Sequence, residues 1–302
     1  MKKTILLLLA FVATISFAFA GENPVKKTYS HHYNFEDFTA LDVSNAFRVD
    51  FTFSNDWTVD VTVPDFIQPY LKVTCSGHKV RIGLSKLPKD VQRKLSDLKD
   101  PLKATVRMPK LHALTLSGAS HMEVTGRQQL GSEAMFVDLS GASRLKSMVA
   151  AGNGSLTIEL SGASRIDMQA DFKTLHVDVS GASKLELAGN AERLDLDCSG
   201  ASNCDFTGDF QHADIDLSGS SKMKMNGKTG NLKLGQSGAT SFSSSGETAR
   251  ADVDLSGASK GKLTVTEQLH YELSGASTLR VKDLGARVSG EQSRGSKIEW
   301  DR

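Results

Sequence analysis

The sequence predicts an all-β protein: a parallel β-helix (β-solenoid) of ~19-residue coils with Ser-Gly-Ala-Ser corners, preceded by an N-terminal β-rich capping region with one short helix. Three observations carry this. The phrase recurs with its first residue at Ser117, Ser140, Ser161, Ser180, Ser199, Ser218, Ser237, Ser256 and Ser274, and a degenerate copy starts at Ser289; the spacings are 23, 21, 19, 19, 19, 19, 19, 18 and 15. On either side of the phrase, apolar and polar residues alternate with a period of two, as in Val177-Asp178-Val179 and Lys184-Leu185-Glu186-Leu187. Gly is high at 26 and Pro low at 6, which suits strands joined by tight glycine corners.

Residues 1–20 read as a secretory signal. Lys2 and Lys3 form its basic start, Ile5 to Ile15 its apolar core and Ala18-Phe19-Ala20 its cleavage site, so the mature chain is expected to start at Gly21. No Cys lies near that site, so a lipid anchor is not expected. The mature chain then holds 34 basic and 35 acidic residues, a balance that gives no general attraction for nucleic acid or an anionic membrane. It has no later apolar run long enough for a transmembrane segment. Residues 21–34 form a polar lead-in, with His31-His32 read as solvated.

Residues 35–110 begin the solenoid and cap it. Phe47, Val49, Phe51 and Phe53 make one strand face, and Val59, Val61 and Val63 another after an Asn55-Asp56 turn. Leu71 to Cys75 and Val80 to Leu84 flank Ser76-Gly77-His78 as a hairpin. Pro88 to Leu98 places Val91, Leu95 and Leu98 at helical spacing behind a proline.

Residues 111–302 are the repeats. A unit this small cannot bury its own apolar face and must stack on its neighbours. Each coil adds about 4.8 Å, so ten coils make a rod of roughly 48 Å. At the corner, Gly accepts positive φ or close approach of the next coil, Ala is expected to point inward, and the two serines to bond along the stack or to the bent backbone. Gln236 and Gly261 take interior positions, Thr240 replaces a corner serine, and the coils near 236–261 are expected to pack less well. Trp300 is expected to help cover the open end. Cys75, Cys198 and Cys204 do not describe a disulfide framework. Cys198 and Cys204 stand where other repeats carry Leu or Met and read as buried small hydrophobes, with a strained bridge across the corner as the alternative.

Two outward columns flank the phrase. Two residues before it stand Asp138, Glu159, Asp178, Asp197 and Asp216, followed by Asp254 and Glu272; just after it stand Arg144, Arg165, Lys184, Lys222 and Lys260, with His121 and Lys297 at the ends. These are the candidate surface-binding residues. The plain reading is a charged surface whose two columns compensate each other across the corner; the sharper readings are a divalent cation on the acidic column, or a glycan or anion along the basic one. The acidic column lacks the glycine–aspartate nonapeptide of calcium-binding β-rolls. His176 and His270 share one outward repeat position. No phosphate loop, dinucleotide fingerprint, zinc spacing or nucleophile elbow occurs, so no cofactor and no catalytic residue is expected.

The signal segment, the run F-x-x-L-x-V-S-N-A-F-x-V (Phe38 to Val49) and the Ser-Gly-Ala-Ser ladder resemble the putative auto-transporter adhesins with a head GIN domain, secreted β-solenoids common in Bacteroidetes. The resemblance covers about residues 35–300 and implies a right-handed parallel β-helix at the cell surface or in the periplasm, with no established activity. The chain departs from an auto-transporter in ending at Asp301-Arg302 straight after the last coil, with no membrane barrel, so a periplasmic location fits as well as a secreted one. The expected function is a non-catalytic, adhesin-like binding module of the cell envelope, whose partner is a glycan or envelope protein. The alternatives are a structural envelope protein without a ligand, or a polysaccharide-acting β-helix enzyme. Ligand and oligomeric state are not legible in the sequence.

Overall fold

A computed structural model describes residues 27–97 and 102–301. The signal reading, the start of the lead-in, Leu98 of the expected helix and Arg302 lie outside the described residues. The fold is a β-solenoid of about 10 turns, as the repeat predicts.

Each coil contributes one strand before the corner and one after it, and both pair in parallel with their counterparts one coil away. Asp138 lies beside Glu159, Asp178 beside Asp197, and Arg165 beside Lys184. The two sheets so formed face each other, and the alternate residues of both fill the space between them. Leu156, Leu175, Leu194, Ile158, Ile215, Leu145 and Leu185 are among those fully buried. The burial strings of the strands repeat with period two, the register that a one-sided apolar face demands.

The corner works differently from expectation in one respect. Ala142, Ala163 and Ala182 point to solvent, while the last residue of each phrase, such as Ser143, Ser164 and Ser202, points in and is buried. The hydroxyl donates to the carbonyl three residues back, Ser164 Oγ to the Ser161 oxygen at 2.8 Å and Ser202 Oγ to the Ser199 oxygen at 2.7 Å. Serine holds the inward place because the sharp bend leaves a carbonyl facing the interior, and a short hydroxyl satisfies it. The corner glycine then has two reasons to be glycine. Gly162 has φ of 72°, and a Cβ there would lie 2.4 Å from the Gly141 carbonyl oxygen of the coil beneath.

At the other end of each coil the link crosses a second glycine column, Gly189, Gly208, Gly227 and Gly246. Gly227 has φ of 131°, and a Cβ would lie 2.0 Å from the Gly208 oxygen.

The first coil has a corner of its own without the phrase. Ser44-Asn45-Ala46-Phe47 stacks on Ser117-Gly118-Ala119-Ser120: Ser117 N–H donates to the Val43 oxygen at 2.9 Å, and Asn45 and Ala46 take positive φ of 67° and 64°. The last corner is Ser293-Arg294-Gly295-Ser296, where Ser293 N–H donates to the Leu273 oxygen and Ser296 Oγ to the Ser293 oxygen, both within 2.9 Å. The copy expected at Ser289 is instead strand, with Ser289 beside His270 and Gly290 packed beneath Tyr271. Register on the coil beneath, rather than the Ser-Gly dipeptide, sets the corner.

The N-terminal region comprises β1 (Thr28–Tyr33), β2 (Ala40–Val43), β3 (Phe47–Phe53), β4 (Thr58–Pro64), a 3-10 turn (Asp65–Tyr70), β5 (Leu71–Ser76), β6 (Lys79–Leu84), helix α1 (Lys89–Ser96) and β7 (Leu102–Met108). The expected hairpin β5–β6 and the helix behind Pro88 are present. The polar lead-in contains a strand: β1 pairs antiparallel with β4, and His32 Nδ1 lies 2.7 Å from Asp60. Although β3 and β4 are joined by the Asn55-Asp56 turn, they do not pair; β7 lies between them, parallel to β3 and antiparallel to β4.

Residues 236–261 are filled but less regular than the other coils, as expected: Gln236 Oε1 and Thr248 Oγ1 are buried with no hydrogen-bond partner among the described residues, and the pairing with the next coil shifts register between Ser243 and Glu247 and between Thr248 and Arg250. Gln236 Nε2 donates to Thr240 Oγ1 at 3.1 Å, so the two departures from the repeat complement each other. Phe242 is buried, and the space that Gly261 leaves is taken by Leu279, whose Cδ1 would lie 2.9 Å from a Cβ there. Trp300 covers less than expected, for it is 45% exposed. Among the described residues no helix is long and apolar enough to cross a membrane.

Candidate functional site

The strand after each corner carries the basic column. Its residues alternate with interior ones, so Arg144, Arg165, Lys222 and Lys260 point to solvent and Lys184 is half-buried. The stack extends this column beyond what the phrase alone reveals. Lys103 of β7 lies beside Arg48 of β3, Arg48 beside His121, His121 beside Arg144, Arg144 beside Arg165, and Arg165 beside Lys184. Six consecutive rungs therefore carry a cationic or titratable side chain, over about 24 Å at the rung spacing of a sheet. Farther along, Asn203, Ser241 and Thr278 intervene, so Lys222, Lys260 and Lys297 occupy every second rung.

Lys184 pairs with Glu186 on its own strand. Among the described residues Lys103, Arg48, Arg144 and Arg165 form no ion pair. The crowding shows in His121: burial first, then the positive charges of Arg144 and Arg48, hold its imidazole below the usual histidine range. Arg48 and Lys103 escaped the sequence reading because no Ser-Gly-Ala-Ser precedes them. The available signal was Ser44-Asn45-Ala46-Phe47, with Asp42 two residues before it and Arg48 just after.

The acidic column lies across the corner. Asp138, Glu159, Asp178, Asp197 and Asp216 occupy five consecutive rungs. At the next rung stands Gly235, over which the Asp216 carboxylate folds: a Cβ there would lie 2.1 Å from Asp216 Oδ1. Burial and then Asp42 push Asp138 upward; burial, Asp197 and Asp214 push Asp216 upward. The expected compensation between the columns does not take the form of ion pairs: among the described residues none of these five carboxylates pairs with a cation. The Gly-Ala corner holds the two charge ladders apart, so each keeps its own field. No group of three or more His, Cys, Asp or Glu among the described residues is placed to hold a metal ion.

A shallow open groove of about 1190 Å³ runs along the link side, past Asp171, Phe172, Asn190, Asp209 and Lys228. Part of its polar lining is engaged in the stack. Asn190 N–H donates to Asp171 Oδ1 at 2.8 Å, Asp209 N–H to Asn190 Oδ1 at 2.9 Å, and Lys228 N–H to Asp209 Oδ1 at 2.7 Å. This ladder fixes the links and leaves the groove a structural seam.

Cys198 and Cys204 are free and buried, with sulfurs 3.2 Å apart across the interior of one corner. They fill positions that Val179 and Leu217, and Leu185 and Met223, fill in the adjoining coils.

An elongated β-solenoid whose coils present ladders of outward charge defines the class of this protein. Its backbone is similar to that of a putative adhesin from Parabacteroides distasonis, at 14% identity with a TM-score of 0.51, covering 92% of this chain and 98% of that one. A putative adhesin from Parabacteroides merdae is similar at 12% identity with a TM-score of 0.50, covering 91% of this chain and 97% of that one. These likenesses show the fold alone. A comparison with curated proteins finds no match. The chain belongs to the family described as putative auto-transporter adhesin, head GIN domain, which matches residues 37–208 and 194–283.

Proposed function

We propose that the protein is a non-catalytic, adhesin-like binding module, exported to the cell envelope, that takes an acidic glycan along the ladder Lys103, Arg48, His121, Arg144, Arg165 and Lys184. One observation carries the reading: these six rungs are consecutive, and among the described residues most of their charges have no carboxylate partner. Cations stacked at the spacing of a sheet repel one another. A flexible polyanion laid along the coil axis relieves that repulsion at every rung. The broad flat face suits a linear polymer, whose successive acidic groups meet successive coils. The family's description as an adhesin supports the same reading.

The test is a titration of the purified protein with a polyuronate and with a neutral polysaccharide of similar length. The expected result is binding of the acidic polymer only, weakening as salt rises, and at least a tenfold loss in the Arg144→Ala/Arg165→Ala double variant. Equal binding of the neutral polymer, or an unaffected double variant, overturns the assignment. Absence of any binding leaves the structural envelope protein as the better reading.

A further inference from the structure

Among the described residues the last coil leaves one edge of each strand unpaired. Its two strands, Arg287–Gln292 and Lys297–Asp301, pair with the coil beneath them. Every residue of Arg287–Gln292 is exposed. Among the described residues Leu284, Val288 and Trp300 are the large apolar side chains most open to solvent, at 48%, 40% and 45%, and all three lie in this last coil. The N-terminal end is finished otherwise: antiparallel strands, the 3-10 turn and helix α1 close over it, burying Ile67 and Val91. A solenoid end needs a polar cap to stay soluble alone, and a free strand edge is a template for another strand.

The sequence of the last strand, Lys297-Ile298-Glu299-Trp300-Asp301, is complementary to itself when reversed. Laid antiparallel about Glu299, Lys297 faces the partner's Asp301, and Ile298 faces the partner's Trp300. The strand Arg287–Gln292 has the same property about Ser289, where Arg287 faces the partner's Glu291. A two-fold axis crossing the last coil sets like strand beside like strand in antiparallel order on both sides of the coil. The one like-charge meeting, Glu299 with the partner's Glu299, is compensated on each side by Arg280, whose Nη2 lies 2.6 Å from that carboxylate, which leaves Lys297, now 2.7 Å from Glu299, to turn toward the partner's Asp301.

We infer that a second copy of this chain docks end to end on the last coil, forming a two-fold dimer by antiparallel pairing of Lys297–Asp301 and Arg287–Gln292 with their own counterparts. The paired edges bury Ile298 and Trp300 against each other and continue the interior of one rod into the other. The dimer is about twice as long as the monomer and presents two cationic ladders, though its formation does not depend on what those ladders bind.

Sedimentation velocity of the purified protein tests this, with circular dichroism confirming that each variant keeps its strands. The expected result is a concentration-dependent dimer. Lys297→Glu and Asp301→Lys each weaken it at least tenfold, and the Lys297→Glu/Asp301→Lys double variant restores it. Within one chain both residues join one network, Lys297 to Glu299 and Asp301 to Arg280, so the loss is read at the interface only where thermal unfolding shows each single variant as stable as the parent. A protein monomeric up to about 1 mM, single variants that dimerise normally, a folded double variant that stays monomeric, or an open-ended series of oligomers would each overturn the inference.

Discussion

Ser164 and Ser183 occupy the same place in successive corners, yet their hydroxyls differ. Ser164 Oγ donates to the Ser161 carbonyl oxygen, whereas Ser183 Oγ is buried and has no hydrogen-bond partner among the described residues. A buried hydrogen bond contributes about 1 kcal/mol, and a buried polar atom without a partner is a cost. Ser164→Ala is therefore expected to destabilise by about 1 kcal/mol, while Ser183→Ala is neutral or stabilising. Denaturant unfolding of the two variants side by side checks this, and equal losses would contradict the geometry. The cysteines illustrate a reading that held at this scale: Cys198 and Cys204 are free and buried in columns otherwise filled by Val, Leu and Met. The alanines illustrate one that failed. Both alanine and serine are small enough to turn inward, and the bent backbone's need for a donor selects the serine.

At the scale of the element, the corner is held by close backbone contact between coils. Gly162 shows the constraint from both sides, with a left-handed φ and a carbonyl of the next coil where a Cβ would stand. Gly162→Ala is expected to destabilise by more than about 1 kcal/mol, beyond the usual cost of a left-handed alanine, because the clashing atom is backbone and cannot rotate away. Ala163→Gly at the neighbouring exposed position is the control, expected to stay within about 1 kcal/mol. Thermal unfolding distinguishes them, and equal stability would show that the coils can separate locally. The period of the phrase made this corner legible in the sequence. The link glycines were equally periodic, since Gly189, Gly208, Gly227 and Gly246 each lie 19 residues apart. The sequence reads them only as a Gly-rich or polar link, although they face the same steric demand as the corner.

For the whole molecule, both charge ladders contribute to the response to pH. His121 has its folded pKa held below the ordinary value. The unfolded chain therefore takes up the proton first, and the stability His121 contributes is present above about pH 6.5 and lost as pH falls through its folded pKa. Asp138 and Asp216 are shifted upward. Their effect has the opposite sign: they stabilise the fold in acid, below the unfolded carboxylate range, and lose that contribution as pH rises through their folded values. For the proposed ligand, a polyanion on the basic ladder favours protonated His121. Binding of a polyuronate should therefore tighten between about pH 7 and pH 5, and His121→Gln should flatten that dependence. An unchanged pH profile in that variant would separate His121 from the ladder's function.

The sequence by itself determined the architecture and the outward direction of both charged columns. A period near 19 with alternation on both sides of a small-residue corner has one economical solution, stacked parallel coils. Only the tertiary structure decided which residues end the stack and which rungs join. The corner at Ser44-Asn45-Ala46-Phe47 and the one at Ser293-Arg294-Gly295-Ser296 lack the phrase; hydrogen bonds to the neighbouring coil define them. β7 enters between β3 and β4 from more than forty residues away in the chain, and so brings Lys103 to the head of the ladder. Local pattern fixes the direction of a side chain along its own strand. The neighbour it meets is fixed by register between strands, which depends on the packing of the whole stack.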